Sequence, residues 1–133
     1  MSMWTHITGV LYIDTCEIME KEELKKFVED KLANAPKITG SEENTSYYVN
    51  VLNGSNSSAS EIINGAIINK EYQTCVAITL VGDLRDRERE FTETELEMFI
   101  DYIKDAFAMV RDYSICIDDE KECIDMRFEG LIS

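Results

Sequence analysis

Two stretches of this chain are apolar at both odd and even positions, which suits strands inside a sheet and not strands at its edge. From Met3 to Asp14, Ile7, Leu11 and Ile13 fall on one side of an extended chain, while Trp4, His6, Val10 and Tyr12 fall on the other. From Tyr72 to Val81 the residues are β-favouring and apolar almost throughout. A strand flanked by neighbours reads in this continuous way, because neither of its faces is left to water alone. Any fold for the chain must therefore place these two segments centrally.

Between and after them the period changes. Leu24, Phe27, Val28 and Leu32 recur at helical spacing within Glu20 to Ala33, with Glu22, Glu23, Lys25, Lys26, Glu29 and Asp30 opposite. Pro36 bars continuation of that helix. Ser46 to Asn53 alternates and predicts a second strand, followed by a Gly/Ser/Asn-rich loop from Asn53 to Ser60. Ile62 to Asn69 reads either as a small hairpin about Asn64-Gly65 or as an irregular excursion. Thr92 followed by Glu95 has the form of a capping box, and it predicts a helix running from there to the region of Val110 to Asp112, with Leu96, Phe99, Ile100, Ile103 and Phe107 as its apolar stripe. Ser114 to Ile117 and Cys123 to Phe128 read as short strands around a polar turn at Asp118-Asp119-Glu120-Lys121. The order strand, helix, strand, strand, helix, strand, plus one C-terminal strand, predicts a single α+β domain spanning residues 1–133. Its expected form is a ferredoxin-like βαββαβ sandwich, two helices on one face of an antiparallel sheet.

Charge then limits the partners. The 133 residues carry 27 acids and 13 bases, a formal net charge of −14. A field of that sign opposes direct binding to nucleic acid, which needs cations to displace counterions, and disfavours anionic membranes. It favours a basic surface on another protein, although acidity also serves plain solubility. No apolar run approaches the roughly 20 residues of a membrane span, and Met-Ser-Met-Trp-Thr-His lacks the basic start of a secretory signal. These features predict a protein that stays in the cytoplasm. The four cysteines form no CxxC pair and there is one histidine, His6, so no zinc framework is expected and no cofactor is implied.

The topology predicts that Lys37 to Thr45 and Gly82 to Phe91 emerge at one end of the sheet, beside Trp4 and His6. Lys37, Thr39, Ser41, Asp83, Arg85 and Arg87 would then form a rim able to bind a small anion or nucleotide bidentately, the alternative being arginines paired with neighbouring acids. Thr39-Gly40-Ser41 follows a helix where a phosphate loop would lead into one, so it reads as a turn. A second candidate surface is acidic. Fourteen acids and five bases lie between Glu88 and Glu129. Glu93, Glu97, Asp101 and Asp105 step along one helix face at about 6 Å, close to the phosphate spacing of one DNA strand. With Asp118, Asp119 and Glu120 they are the expected protein-binding residues. The commoner meaning of such a row is a solvated face, yet like charges at this spacing cost helix stability. Asp14 is placed similarly to the metal-binding aspartate of ferredoxin-like CRISPR-associated nucleases, but no second carboxylate accompanies it, and neither metal nor catalytic residues are expected.

The N-terminal Met-Trp-Thr-His-Ile, the stretch Asn34-Ala35-Pro36-Lys37-Ile38-Thr39-Gly40-Ser41-Glu42, and Tyr72-Gln73-Thr74 leading into Gly82-Asp83-Leu84-Arg85-Asp86-Arg87 carry a resemblance. Over roughly its first ninety residues the chain resembles small proteins encoded by phages and prophages of Gram-positive bacteria. The resemblance implies a phage-borne accessory protein in bacterial cytoplasm. By analogy with other small acidic phage proteins, it implies a non-enzymatic inhibitor of host defence, similar to anti-CRISPR proteins. An uncovered sheet face bearing Trp4, Tyr12 and Tyr48 would also suit a homodimer.

Overall fold

A computed structural model describes residues 3–52, 57–107, 109–119 and 123–127. Among these lie six strands and two helices: β1 (Trp4–Met19), α1 (Lys21–Ala33), β2 (Ser46–Val51), β3 (Ser57–Ile63), β4 (Ala66–Arg85), α2 (Arg89–Ala106), β5 (Met109–Asp118) and β6 (Cys123–Arg127). The sheet is antiparallel and open, in the order β2-β4-β1-β5-β6, with β3 attached to β4 off that path. The two segments that read as central are central. β1 and β4 pair from Trp4↔Arg85 to Asp14↔Cys75, with β2 on the outer side of β4 and β5 on the outer side of β1.

Alternation along the strands sorts the sheet into two faces. Ile7, Leu11 and Ile13 of β1 stand beside Leu80, Ile78 and Val76 of β4, all buried. Leu24, Val28 and Leu32 of α1 and Leu96, Phe99, Ile100 and Ile103 of α2 join the same cluster. Both helices therefore cover one face. Tyr47 of β2 lies stacked on Phe99, ring centroids 4.8 Å apart and planes 10° from parallel, a geometry that adds to the area both rings bury. Among the described residues no helix covers the opposite face. Thr8 and Tyr12 of β1, Tyr48 of β2 and Val81 of β4 are exposed there, and Trp4 has the same parity. No helix among the described residues is long and apolar enough to cross a membrane.

Several boundaries differ from the expected ones, each for a physical reason. The five expected strands become six because residues 57–72 form a hairpin, whose first arm is β3. Asn64 and Gly65 both take positive φ, 52° and 82°, joining Ile63 to Ala66 in a two-residue turn, which matches strand twist and suits an Asn-Gly pair. β4 consequently runs 20 residues, far beyond the apolar core segment at Tyr72–Val81. Helix α2 starts at Arg89, three residues before the expected cap, and ends at Ala106 rather than near Asp112. Thr92 is buried within the helix and caps nothing. At Phe107 the backbone is already extended, and β5 begins at Met109, five residues before the expected Ser114. The Asn53-to-Ser60 loop is shortened by the start of β3 at Ser57, and residues 53–56 lie outside the described residues. So do Glu120 and Lys121 of the expected turn and Phe128 of the expected last strand.

Gly9 of β1 pairs with Ile115 of β5. A Cβ there would lie 2.6 Å from Ile115 Cα and 2.6 Å from the Ser114 carbonyl oxygen. Both are backbone atoms that cannot rotate away. Gly9→Ala should therefore destabilise the fold by about 1–3 kcal/mol, the usual range for overpacking, read as a lowered urea midpoint at unchanged slope.

Candidate functional site

The rim forms as the topology requires, and its polar groups turn inward to hold it together. Antiparallel strands and the two helical crossovers deliver the 37–45 and 82–91 connections to the same end as the start of β1. The backbone N–H of Asp86 donates to the Met3 carbonyl at 2.7 Å and that of Ser41 to the Arg85 carbonyl at 3.0 Å. Thr5 Oγ1 donates to the Arg87 carbonyl at 2.7 Å. Asp86 takes a positive φ of 58°, a left-handed turn that Asp tolerates better than most residues. It ends β4 and redirects the chain into α2.

Most side chains of the expected ligand-binding set are engaged within the molecule. Glu95 accepts from Thr39 twice, from its backbone N–H at 2.9 Å and from Oγ1 at 2.8 Å. Glu95 thus joins α2 to the connection after α1, the work it does in place of the expected capping box. Ser41 Oγ donates to Asp86 Oδ2 at 3.2 Å. Arg85 pairs with Glu42 and lies 3.9 Å from Asp86 Oδ2. Asp83 Oδ1 is 2.6 Å from His6 Nδ1 across the β1–β4 pair. Arg87 stacks over Phe91, its guanidinium carbon 5.2 Å from the ring centroid, and donates from Nη1 to the Asp86 carbonyl at 3.2 Å. Arg87 and Phe91 line a shallow cleft of 310 Å³ with Met3, Asp86 and Glu88. Lys37 lines a different depression, of 210 Å³, between α1 and β2. The expected anion site is therefore divided: Arg85 faces acids of its own chain, and Arg87 lies over Phe91.

The acidic surface divides as well. Arg89, largely buried, lies 3.5 Å from Glu93, 3.2 Å from Glu90 and 4.0 Å from Asp119. Glu93 and Asp119 thus belong to a buried-edge ion cluster that ties the start of α2 to the end of β5. Glu97, Asp101 and Asp105 are exposed on the outward face of α2, and among the described residues no ion pair engages them. Asp118 is exposed at the end of β5, in register with His6. Glu120 lies outside the described residues. Two large apolar side chains accompany the three exposed acids. Met98 is 55 % exposed and Phe91 49 %, and their seven-residue spacing sets them on one line of the helix. The acid periodicity was visible in the sequence. Met98 could have been found too, since it falls outside the Leu96, Phe99, Ile100 and Ile103 stripe, whereas Phe91 could not, because it precedes the expected helix start at Thr92.

Asp14 has a partner of another kind. The Cys75 thiol lies 3.8 Å from Asp14 Oδ2, and Arg111 Nη1 donates to that sulfur at 3.5 Å. Cys75 is buried on the helix-free side of the sheet, since its register partner is Asp14 and not Ile13. Among the described residues no group of three His, Cys, Asp or Glu side chains could hold a metal ion. Compared with known protein families, curated proteins and solved structures, the chain matches none.

Two predictions follow from the Thr39–Glu95–Tyr47 corner. Glu95→Ala strands two donors of Thr39 and should cost about 1–3 kcal/mol of stability, whereas Thr39→Ser keeps both bonds and should cost much less, both measured by chemical unfolding. Tyr47 is pushed up from 10.0 to about 12, first by burial, which disfavours the phenolate; a backbone hydrogen bond at Ile38 opposes this, and the Glu95 carboxylate adds to it. The folded state holds this proton more tightly than the unfolded chain does. Its contribution is intact below pH 10 and is lost as pH rises toward about 12. Tyr47→Phe should remove that part of the alkaline decline, seen as a flatter unfolding midpoint across the window than in the wild type.

Proposed function

We propose that this chain is a non-catalytic binding protein that presents the outward face of α2 to a basic surface on another protein. The observation that carries this reading is the pairing of two exposed apolar side chains, Phe91 and Met98, with three exposed and unanswered acids, Glu97, Asp101 and Asp105, on one helix face. A face made only for solvation has no use for large exposed apolar groups. A docking face does, since aromatic residues and methionine concentrate at the buried centre of interfaces with polar residues at the rim. The charge of −14 would steer such an encounter. Glu93 and Asp119 support the face from behind through Arg89.

The natural occupant of an acidic, DNA-like row is the basic groove of a nucleic-acid-binding protein. With the resemblance of the first ninety residues to phage-encoded proteins, this makes the chain a phage accessory protein acting in the bacterial cytoplasm on a host defence component, in the manner of anti-CRISPR proteins. The fold is read as a ferredoxin-like sandwich enlarged by β3 and β6, a reading supported by the order β2-β4-β1-β5 within the sheet. The small-ligand reading of the rim loses ground because Thr39, Ser41 and Arg85 already have partners in their own chain.

The test uses the full chain immobilised against host lysate, with the captured protein identified and assayed for nucleic-acid binding. Duplex DNA should release it, and the free chain should inhibit its binding to DNA. The double reversal Glu97→Lys and Asp101→Lys should weaken capture by roughly 10-fold or more, as expected for charges that steer and hold an interface, while Arg85→Ala should leave it intact. Capture at the wild-type level by the double reversal would refute the assignment.

A further inference from the structure

The sheet ends at β2, and beyond β2 no strand lies among the described residues. Two hydrogen bonds fix the direction of the backbone groups along this edge. The Leu52 N–H donates inward, to the Cys75 carbonyl of β4 at 2.9 Å, and the Thr45 N–H donates outward, to the Ile38 carbonyl at 2.8 Å. Successive residues of an antiparallel strand point their N–H and C=O groups at opposite neighbours. Ser46, Tyr48 and Asn50 therefore face β4, while Tyr47, Val49 and Val51 face out. The N–H and carbonyl groups of those three have no partner among the described residues. The chain itself begins the next row, since Ile38 and Thr39 lie outside Thr45 and Asn44. Beside Tyr47 that row stops, because Pro36 and Lys37 belong to the connection from α1. β2 reads Ser-Tyr-Tyr-Val-Asn-Val and holds neither a charge nor a proline, two devices that keep foreign strands off a sheet edge.

We infer that this edge binds the carboxy-terminal segment of another protein, which adds to β2 as an antiparallel strand. Strand addition draws affinity from main-chain hydrogen bonds and specificity from a pocket for alternate side chains. The depression of 210 Å³ beside the edge is such a pocket, lined by Leu32 and Ala33 of α1 and Tyr47 and Val49 of β2, with Glu29 and Lys37. A residue of the added strand opposite Val49 would exchange both hydrogen bonds with it. Its side chain would fall on the face that Val49 uses, over the depression, where an apolar group meets apolar walls. The end of the row selects the terminus. Ile38 already holds the place opposite Thr45, so a strand running along β2 toward it has to end beside Tyr47. Lys37 stands at that end, exposed, and no ion pair among the described residues engages it. A free carboxylate answers this charge, whereas the ammonium of a strand arriving amino end first would be repelled. Glu29 lies one helical turn before Ala33 on α1, further from the connection, and favours a cation earlier in the bound segment. The site is separate from the α2 face, because α1 packs on β2 and α2 on β5, and the inference does not rest on the reading of that face.

The probe is a library of short random peptides displayed with free carboxy termini and panned on the immobilised full chain. It should enrich peptides with an apolar residue at the last position or at the next one on the same face. The enriched peptide, made synthetically, should protect the amides of Tyr47, Val49 and Val51 from hydrogen exchange. Those of Ser46, Tyr48 and Asn50, already turned toward β4, should change little. Its carboxy-terminal amide should bind roughly 2–5-fold more weakly than the free acid, the range of an exposed ion pair, and Lys37→Ala should weaken the free acid to the same extent. Ala33→Trp, at an exposed position in the last turn of α1, should fill the depression. Binding should then fall roughly tenfold or more, as when an anchor loses its pocket, with circular dichroism unchanged. Glu97→Lys should leave the affinity as it is. A library that enriches nothing would overturn the inference. So would a peptide that binds equally well as its amide, that binds Ala33→Trp as tightly as the wild type, or that protects none of the three outward amides.

Discussion

The β1–β4 pair is the constraint from which the remaining structure follows. Its antiparallel register places Leu11 against Ile78 and Ile13 against Val76, with Ile7 opposite Gly82 and Leu80 opposite Gly9, so that one face of the two adjacent strands is apolar over most of the shared length. That face must be covered, and α1 and α2 are the segments whose stripes fit it. Once they lie there, right-handed crossovers leave only the outer edges of β4 and β1 for β2 and β5. The same register fixes which loops meet. Because Trp4 stands opposite Arg85, the start of the chain, the turn at Asp86 and the connection after α1 are brought to one end without any affinity between them.

Charge is distributed over this frame in three distinct ways. At the rim, acids and bases are matched within the chain: Arg85 with Glu42, Arg89 with Glu90, Glu93 and Asp119. These pairs cross-link loops and element ends, a positional role that does not require each pair to add much free energy. On the outward side of α2 the acids are unmatched and apolar groups stand among them. On the helix-free face of the sheet charge lies toward the two ends, Asp83 and Asp118 at one and Asp14, Arg111 and Asp112 at the other. A uniformly solubilising charge would not sort itself in this manner, and the sorting is what separates working surfaces from inert ones.

Much of the frame was legible in the sequence. The central position of β1 and β4, the apolar stripes of both helices and the convergence of the rim all follow from periodicity and connection rules. The failures share a cause, which is that local patterns can serve more than one structure. Thr92-x-x-Glu95 has the letters of a capping box, yet Thr92 is packed in the core and Glu95 reaches 56 residues back to Thr39. The arginines of Arg85-Asp86-Arg87 resemble an anion site in sequence, and only three-dimensional proximity shows Glu42 beside Arg85. Ile62 to Asn69 has no single period, and the positive φ of Asn64 and Gly65 makes it a hairpin. Of the exposed pair, Met98 lies off the expected stripe and was legible as an outward apolar residue, whereas Phe91 precedes the expected helix start and was not.

The position of β1 in the chain has a consequence for its biosynthesis. This first strand is flanked on both sides by strands that come late: Tyr12 stands beside Ala77 on one side and Asp112 on the other. Loop closure over such separations makes the pairing slow relative to local helix formation. On the ribosome the delay is imposed outright, since at 5–20 residues per second roughly 5–20 s separate the emergence of β1 from that of β5. Until β4 has emerged, one of the most apolar segments of the chain has no native neighbour. The first 87 residues hold 13 acids against 8 bases, and this modest excess gives a kinetic benefit here: repulsion between neighbouring polysome products discourages their first strands from pairing with one another before their own partners have been made.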